Sequence, residues 1–207
     1  MKIIGITGPS GSGKGICCEY FRSIGIPCID TDTVYHDLLL PPSECAKELV
    51  LRFGKDILRE DQTVDRQKLA AIVFSDDNGR SLEDLNRISH KYVKEKTLTL
   101  LNEYRKDQKK AAVVDAPLLF EAEFDAFCDF TIAVLASYEV RLSRIMRRDM
   151  LSYEKANARF SAQKTDDFYR AKAKYTLYNN NDVQKLHISL AKILQNENLI
   201  SHITNKE

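Results

Sequence analysis

Ile3-Ile4-Gly5-Ile6 runs into Gly8-Pro9-Ser10-Gly11-Ser12-Gly13-Lys14, and a helical pattern from about Lys14 to Ser23 follows. The apolar run is short enough for a buried strand, so the segment reads as strand, glycine loop and helix. The loop fits the G-x-x-x-x-G-K part of the phosphate-loop pattern and sits where that pattern works, after a strand and at a helix N-terminus. Glycines let the backbone wrap closely so that successive N–H groups face phosphate oxygens, and the helix dipole adds favourable potential. Gly8, Ser10, Gly11, Ser12, Gly13, Lys14, Gly15 and Ile16 are therefore the expected ATP contacts, with Lys14 reaching the β- and γ-phosphates. One position departs from the pattern. Gly15 stands where Ser or Thr normally offers a hydroxyl to Mg²⁺. No residue is assigned as a direct metal ligand; a water held by a nearby carboxylate and a reduced activity both stay open.

Outward from the loop, Ile26–Ile29 reads as a second strand, placed at a sheet edge because Pro27 lacks a ladder donor. Ala111–Val114 and Thr131–Leu135 read as buried strands and Tyr175–Tyr178 as a fifth. Alternating strands and helices predict an α/β fold with a mainly parallel sheet. One domain over 1–207 is expected, with a core of about 1–33, 108–138 and 174–200, a helical insert of about 34–107 and a helical segment of about 139–173. The insert is punctuated at Pro41-Pro42, Gly54 and Asp76-Asp77-Asn78-Gly79, and an insert of that length usually holds a substrate. Ser201–Glu207 reads as a frayed tail.

Composition narrows the function classes. The 207 residues are 43% hydrophobic and 29% charged with net charge +1, so no global basic field points to nucleic acid. No apolar stretch approaches a membrane span, and Lys2–Thr7 opens the chain without a signal-peptide pattern, so a cytoplasmic protein is expected. Five cysteines without a CxxC pair read as reduced thiols. Charge is uneven, however: Arg141–Lys174 holds ten Lys/Arg against four Asp/Glu. Such a run fits either a polyanion site or a solvated helix pair.

Ile29-Asp30-Thr31-Asp32 ends the second strand at the carboxyl edge of the sheet, where open α/β folds bind ligands. Side chains at i and i+2 of an extended segment share a face, so both carboxylates are candidates to draw the proton of an attacking hydroxyl. One of the two is equally suited to capping the helix that follows, read as Val34–Leu40. Arg141, Arg144 and Arg148 share a helical face at i, i+3 and i+7, a row suited to the charge of phosphoryl transfer or to salt bridges with Asp149 and Glu154.

With the phosphate loop, Ile29-Asp30-Thr31-Asp32 resembles the signature of the dephospho-coenzyme A kinase family, in which the second Asp is the catalytic carboxylate. The likeness continues through Phe53-Gly54-Lys55-Asp56-Ile57-Leu58, Val64-Asp65-Arg66 with Leu69, Val73-Phe74-Ser75-Asp76, Leu85 to His90, and Asp115-Ala116-Pro117-Leu118-Leu119-Phe120-Glu121. Arg144 and Arg148-Asp149 are similar to the family's Leu-x-Arg-x-x-x-Arg-Asp, and Arg159 with Gln163 to its Arg-x-x-x-Gln. Almost the whole chain is covered. Besides Gly15, the departures are His90-Lys91 for the family's His-Pro and Ala173-Lys174 for its Ala-Asp.

The resemblance implies a three-layer P-loop NTPase fold with a substrate-binding insert and a lid. It implies ATP-dependent phosphorylation of the 3′-hydroxyl of dephospho-coenzyme A, the last step of coenzyme A biosynthesis, with ATP and Mg²⁺ as cofactors. Asp32, Lys14, Arg144 and Arg148 take the catalytic roles, Asp32, Arg66, His90 and Leu119 the acceptor side, and Asn179 a place near the nucleotide base. By residue type alone, Arg66 is an ordinary surface charge, His90 more often a packed or exposed histidine than a ligand, and Asn179 equally a turn residue. A monomer acting on small molecules, without nucleic acid or membrane, is expected. Another nucleoside or nucleotide kinase of the same fold stays open, as does a nucleotide-binding protein that lacks turnover for want of the loop hydroxyl.

Overall fold

Ile3, Ile4 and Ile6 are buried because their strand, β1 (Lys2–Thr7), lies at the centre of the sheet. The computed structural model describes residues 1–76, 78–180 and 182–201; the tail beyond Ser201, Asp77 and Asn181 lie outside the described residues. β1 pairs in parallel with β3 (Ala111–Asp115), Ile6 opposite Asp115, and on its other side with β4 (Phe130–Leu135), Thr7 opposite Ala133. β5 (Tyr175–Tyr178) continues in parallel from β4, and β2 (Cys28–Asp30) forms the other edge, giving the order β2-β3-β1-β4-β5. Pro27 sits just before the edge strand and contributes a carbonyl, which accepts from Val113 N at 2.8 Å. The missing N–H therefore costs no ladder bond.

Two compact units divide the chain, residues 1–29 with 104–207, and residues 30–103. In the first, α1 (Lys14–Ser23) buries Cys17, Cys18 and Phe21, and α9 (Val183–Asn196) buries Leu186, Leu190, Ile193 and Leu194, in one core with Ile4, Ile6, Val113, Ile132 and Val134. The spacing of those α9 residues, three or four apart, is the apolar stripe of a helix lying on a sheet. Three further helices follow β4: α6 (Tyr138–Asp149), α7 (Tyr153–Ser161) and α8 (Asp166–Lys172).

The second unit has its own core of Leu49, Phe53, Ile57, Leu69, Val73 and Ile88. Its helices are α2 (Thr31–Leu38), α3 (Glu44–Phe53), α4 (Arg66–Phe74) and the long α5 (Arg80–Lys106), whose last turn belongs to the first unit. Side chains fix the starts: Ser43 Oγ accepts from Ala46 N, and Asp65 Oδ1 from Gln67 N and Lys68 N. No helix among the described residues is long and apolar enough to cross a membrane.

Glu197, just past α9, is a hub. Its carboxylate accepts from Lys2 Nζ at 2.8 Å, Lys174 Nζ at 2.6 Å and Tyr175 Oη at 2.8 Å, so the first residues of β1 and β5 are fastened to the end of α9. Lys174 occupies the position at which the family pattern carries Asp, and Glu197 supplies its countercharge. Hydrogen bonds from Lys174 and then Lys2 hold the Glu197 carboxyl at about 2. Because that lies below the ordinary value of about 4.3 in an unfolded chain, the stabilisation is present above that value and fades as pH falls toward 2. Glu197→Gln is expected to cost about 1–2 kcal/mol at pH 7. Urea unfolding of both proteins should show the difference shrinking from pH 5 downward; a gap that stays constant with pH would contradict this account.

Candidate active site

Gly13 shows why the loop needs its glycines. Its φ is +95°, and a Cβ there would lie 1.9 Å from Asn179 Nδ2. Asn179 follows β5, is fully buried, and donates Nδ2–H to Ser12 O at 2.9 Å while its own N–H goes to Leu135 O at 2.8 Å. It is thus a brace under the loop rather than a turn residue with a solvated side chain. Lys14 opens α1, with its ammonium donating to Gly8 O at 3.0 Å. Gly15 differs from Gly13 in that, among the described residues, none outside its own stretch of helix lies within 4 Å of a Cβ built on it.

The arginine row divides. Arg144 Nη1 donates to Gly11 O at 3.1 Å and Ser12 O at 3.4 Å, and its Nη2 to Asn179 Oδ1 at 3.3 Å. Arg141, with a side chain only 8% exposed, donates Nε–H to Ser10 O at 3.1 Å and Nη2–H to Gln163 Oε1 at 2.9 Å, and its guanidinium lies 4.4 Å from the Phe160 ring centre. Gln163 Oε1 also accepts from Ser10 N at 3.2 Å. Burial lowers the pKa of both guanidinium groups, Arg141 recovering part through Asp166 and Arg144 losing more beside Arg147. Arg148 turns elsewhere: it grips Asp149 through two hydrogen bonds of 2.6 and 2.9 Å, and Arg159 joins the same carboxylate. The Arg148 hydrogen bond is the main cause holding Asp149 at about 2. Sequence spacing placed Arg141 in one row with Arg144 and Arg148, and its bonds to Ser10 O and Gln163 single it out within that row.

In the second unit, Asp30 and Asp32 do not share an extended face. Asp30 Oδ1 accepts from Asp32 N at 2.9 Å and Thr33 N at 3.3 Å, so the helix begins at Thr31, and Asp32 stands exposed in its first turn. The capping reading belongs to Asp30, which leaves Asp32 as the outward carboxylate. Arg66, exposed at the start of α4 behind its Asp65 cap, lies within electrostatic range of Tyr35. Burial raises the Tyr35 phenol, a group that no motif singled out. His90 is half-buried on α5.

Leu119, in the first unit, is fully buried; its methyl carbons lie 3.0 and 3.1 Å from where a Gly5 Cβ would project. It fills the space that Gly5 leaves on β1 and offers no surface to an acceptor. Its neighbour Leu118 is the exposed member of the pair.

The contrast between the two glycines is measurable. Gly13→Ala is expected to weaken ATP binding about tenfold or more, roughly 1.4 kcal/mol, because either Asn179 or the loop must move. Gly15→Ser, entering open space, should change stability by no more than about 0.5 kcal/mol. Calorimetric ATP titration and thermal unfolding of both variants decide this; equal effects at the two positions would refute it.

A sequence model of the dephospho-CoA kinase family matches residues 2–185. A dephospho-CoA kinase of Arabidopsis thaliana is 38% identical over 194 residues, covering 94% of this chain and 83% of its own. One of Lactobacillus johnsonii is 34% identical over 192 residues, covering 93% and 96%. A crystal structure from Thermus thermophilus, 31% identical, aligns over 94% of this chain and 97% of its own at a TM-score of 0.78. With the loop, its asparagine and arginine braces and the five-stranded sheet in place, the chain belongs to the dephospho-CoA kinase family.

Proposed function

We propose that this chain transfers the γ-phosphoryl group of ATP to the ribose 3′-hydroxyl of dephospho-coenzyme A, giving coenzyme A and ADP in the cytoplasm. The observation that carries the reading is the phosphate loop whose carbonyls at Gly11 and Ser12 are tied to Arg144 and Asn179. With its carbonyls engaged from below, the loop has its N–H groups to offer a polyphosphate, and the start of α1 adds the helix dipole.

Phosphoryl transfer leaves the protein mainly positioning and charge to supply. Lys14 exchanges its bond to Gly8 O for phosphate oxygens, and Arg144 brings a fixed cation to the loop. Arg148 reaches phosphate only by giving up Asp149, and it is Arg159 of α7, bonded to the same carboxylate, that ties α6 to α7. The acceptor hydroxyl oxygen forms its bond to the γ-phosphorus as the bond to the β-phosphate oxygen breaks, and Asp32 takes the proton. The second unit carries the acceptor through Asp32, Arg66 and His90, with Tyr35 added beside Arg66.

Among the described residues no group of three or more His, Cys, Asp or Glu is arranged to hold an ion, and Gly15 has no hydroxyl. The ion that kinases of this class use is one that such a loop receives on ATP with most of its waters retained. The open space at Gly15 has room for one of those waters.

The competing reading, nucleotide binding without turnover, rests on Gly15 alone. Asp32→Asn separates the two: it is expected to lower the rate of ADP formation by about 10²–10⁴-fold, while the ATP dissociation constant stays within about twofold, equivalent to roughly 0.4 kcal/mol. A coupled ADP assay with dephospho-coenzyme A, beside ATP titration, reads both. Turnover by the variant at the parent rate would remove Asp32 from the chemistry, and absence of turnover in the parent would favour the binding protein.

A further inference from the structure

α1 and the edge strand β2 bring two thiols together beside a carboxylate. Cys18, on α1, donates its thiol to Asp115 Oδ2 at 3.5 Å, and Cys28, on β2, donates to the Cys18 carbonyl oxygen at 3.5 Å. Each thiol also shifts the titration of the other, raising that of Cys18 and lowering that of Cys28. Cys18 is 2% exposed and Cys28 half-buried, so Cys28 is the more accessible residue of the two.

We propose that Cys18 and Cys28 are a modification site, closing to a reversible disulfide when a peroxide reaches Cys28, and that this bond slows the kinase.

The chemistry balances with the peroxide as oxidant. The Cys28 sulfur, as thiolate, attacks one peroxide oxygen; an S–O bond forms, the O–O bond breaks, and the departing alkoxide or hydroxide takes a proton from water. The Cys18 sulfur then attacks the Cys28 sulfur. The S–S bond forms and the S–O bond breaks, the Cys18 proton passing by way of Asp115 Oδ2 to the hydroxide, which leaves as water. Two thiols and one peroxide become one disulfide, one alcohol or water, and one water.

The surroundings favour this order of events. The hydrogen bond with Cys18, and then Arg22, lower the Cys28 thiol, whereas the Cys18 thiol is raised, first by the same hydrogen bond and then by burial. Burial pushes Cys17 and Cys128 up to about 12 and Cys45 to about 11, so these stay protonated and unreactive at neutral pH. The consequence for the loop follows from position. Cys18 lies one helical turn beyond Lys14 on α1, and an S–S bond of about 2.0 Å is far shorter than any contact between two thiols. Closing it pulls α1 toward β2 and removes the thiol donor from Asp115.

The full chain treated with hydrogen peroxide and quenched with catalase would then be unfolded in guanidinium chloride, alkylated with iodoacetamide and mapped by tandem mass spectrometry. The expected result is that alkylatable thiols fall from five to three, that a Cys18–Cys28 cross-link appears, and that kinase activity is lost and returns with dithiothreitol. Cys28→Ser should keep its activity through the same treatment. Five alkylatable thiols, a cross-link between other cysteines, a mere sulfinic or sulfonic acid at Cys28, or equal inactivation of Cys28→Ser would each overturn the proposal. The activity arm rests on the kinase reading; thiol count and cross-link do not, so failure of one is distinguishable from failure of the other.

Discussion

The carbonyl oxygen of Ser12 is the point on which the nucleotide side of this protein depends. It accepts from the buried amide of Asn179 at 2.9 Å and from Arg144 at 3.4 Å, and the residue after it must adopt a positive φ to let α1 begin. A buried amide is stabilising only when its own groups are satisfied, and Asn179 meets that condition by also accepting from Arg144 Nη2. Three elements that are distant in sequence, the loop after β1, the end of β5 and the middle of α6, thereby meet at one peptide group. Gly13 is the price of that meeting, since any side chain there would displace the asparagine.

What the sequence disclosed and what it concealed follow from the range of the forces involved. The loop, the edge placement of β2 and the limits of β5 were legible because a glycine cluster, a proline and a short apolar run are local signals with local causes. The Asp30/Asp32 boundary was local but ambiguous, since strand and helix differ there only in which carboxylate captures two backbone N–H groups. The burial of Leu119 was not legible because a motif records which residue recurs, not which way it faces; that burial is set by Gly5 on another strand. Tyr35 was not legible as a site residue, and neither were the particular bonds of Arg141 to Ser10 O and Gln163, because the partners lie far away in the chain.

The arginines of α6 illustrate the same limit. Arg141, Arg144 and Arg148 lie on one helical face, and spacing alone treats them alike. Their partners separate them: two find backbone carbonyls of the loop, while the third finds a carboxylate one residue along its own chain. An exposed pair of that kind contributes little to stability, but it does decide where a long side chain points. Helix periodicity therefore identifies a charged face, whereas the neighbours beyond the helix decide which charges are available to a ligand.

Departures from a family pattern are of two physical kinds, and this chain shows both. Lys174 reverses the sign of the charge at its position, yet Glu197 accepts its hydrogen bond at 2.6 Å together with those of Lys2 and Tyr175, so the reversal is answered inside the chain. Gly15 removes a hydroxyl, and among the described residues none outside its own stretch of helix comes within 4 Å of a Cβ built there. The first departure is thus met by a partner within the fold. The second can be answered only by what arrives with the substrate, because open space next to a phosphate loop is space that solvent and a hydrated cation can fill. That difference explains why a substitution beside the most recognisable motif in the chain leaves the family assignment intact: the loop's geometry is held by Asn179 and Arg144, and neither depends on the residue that follows Lys14.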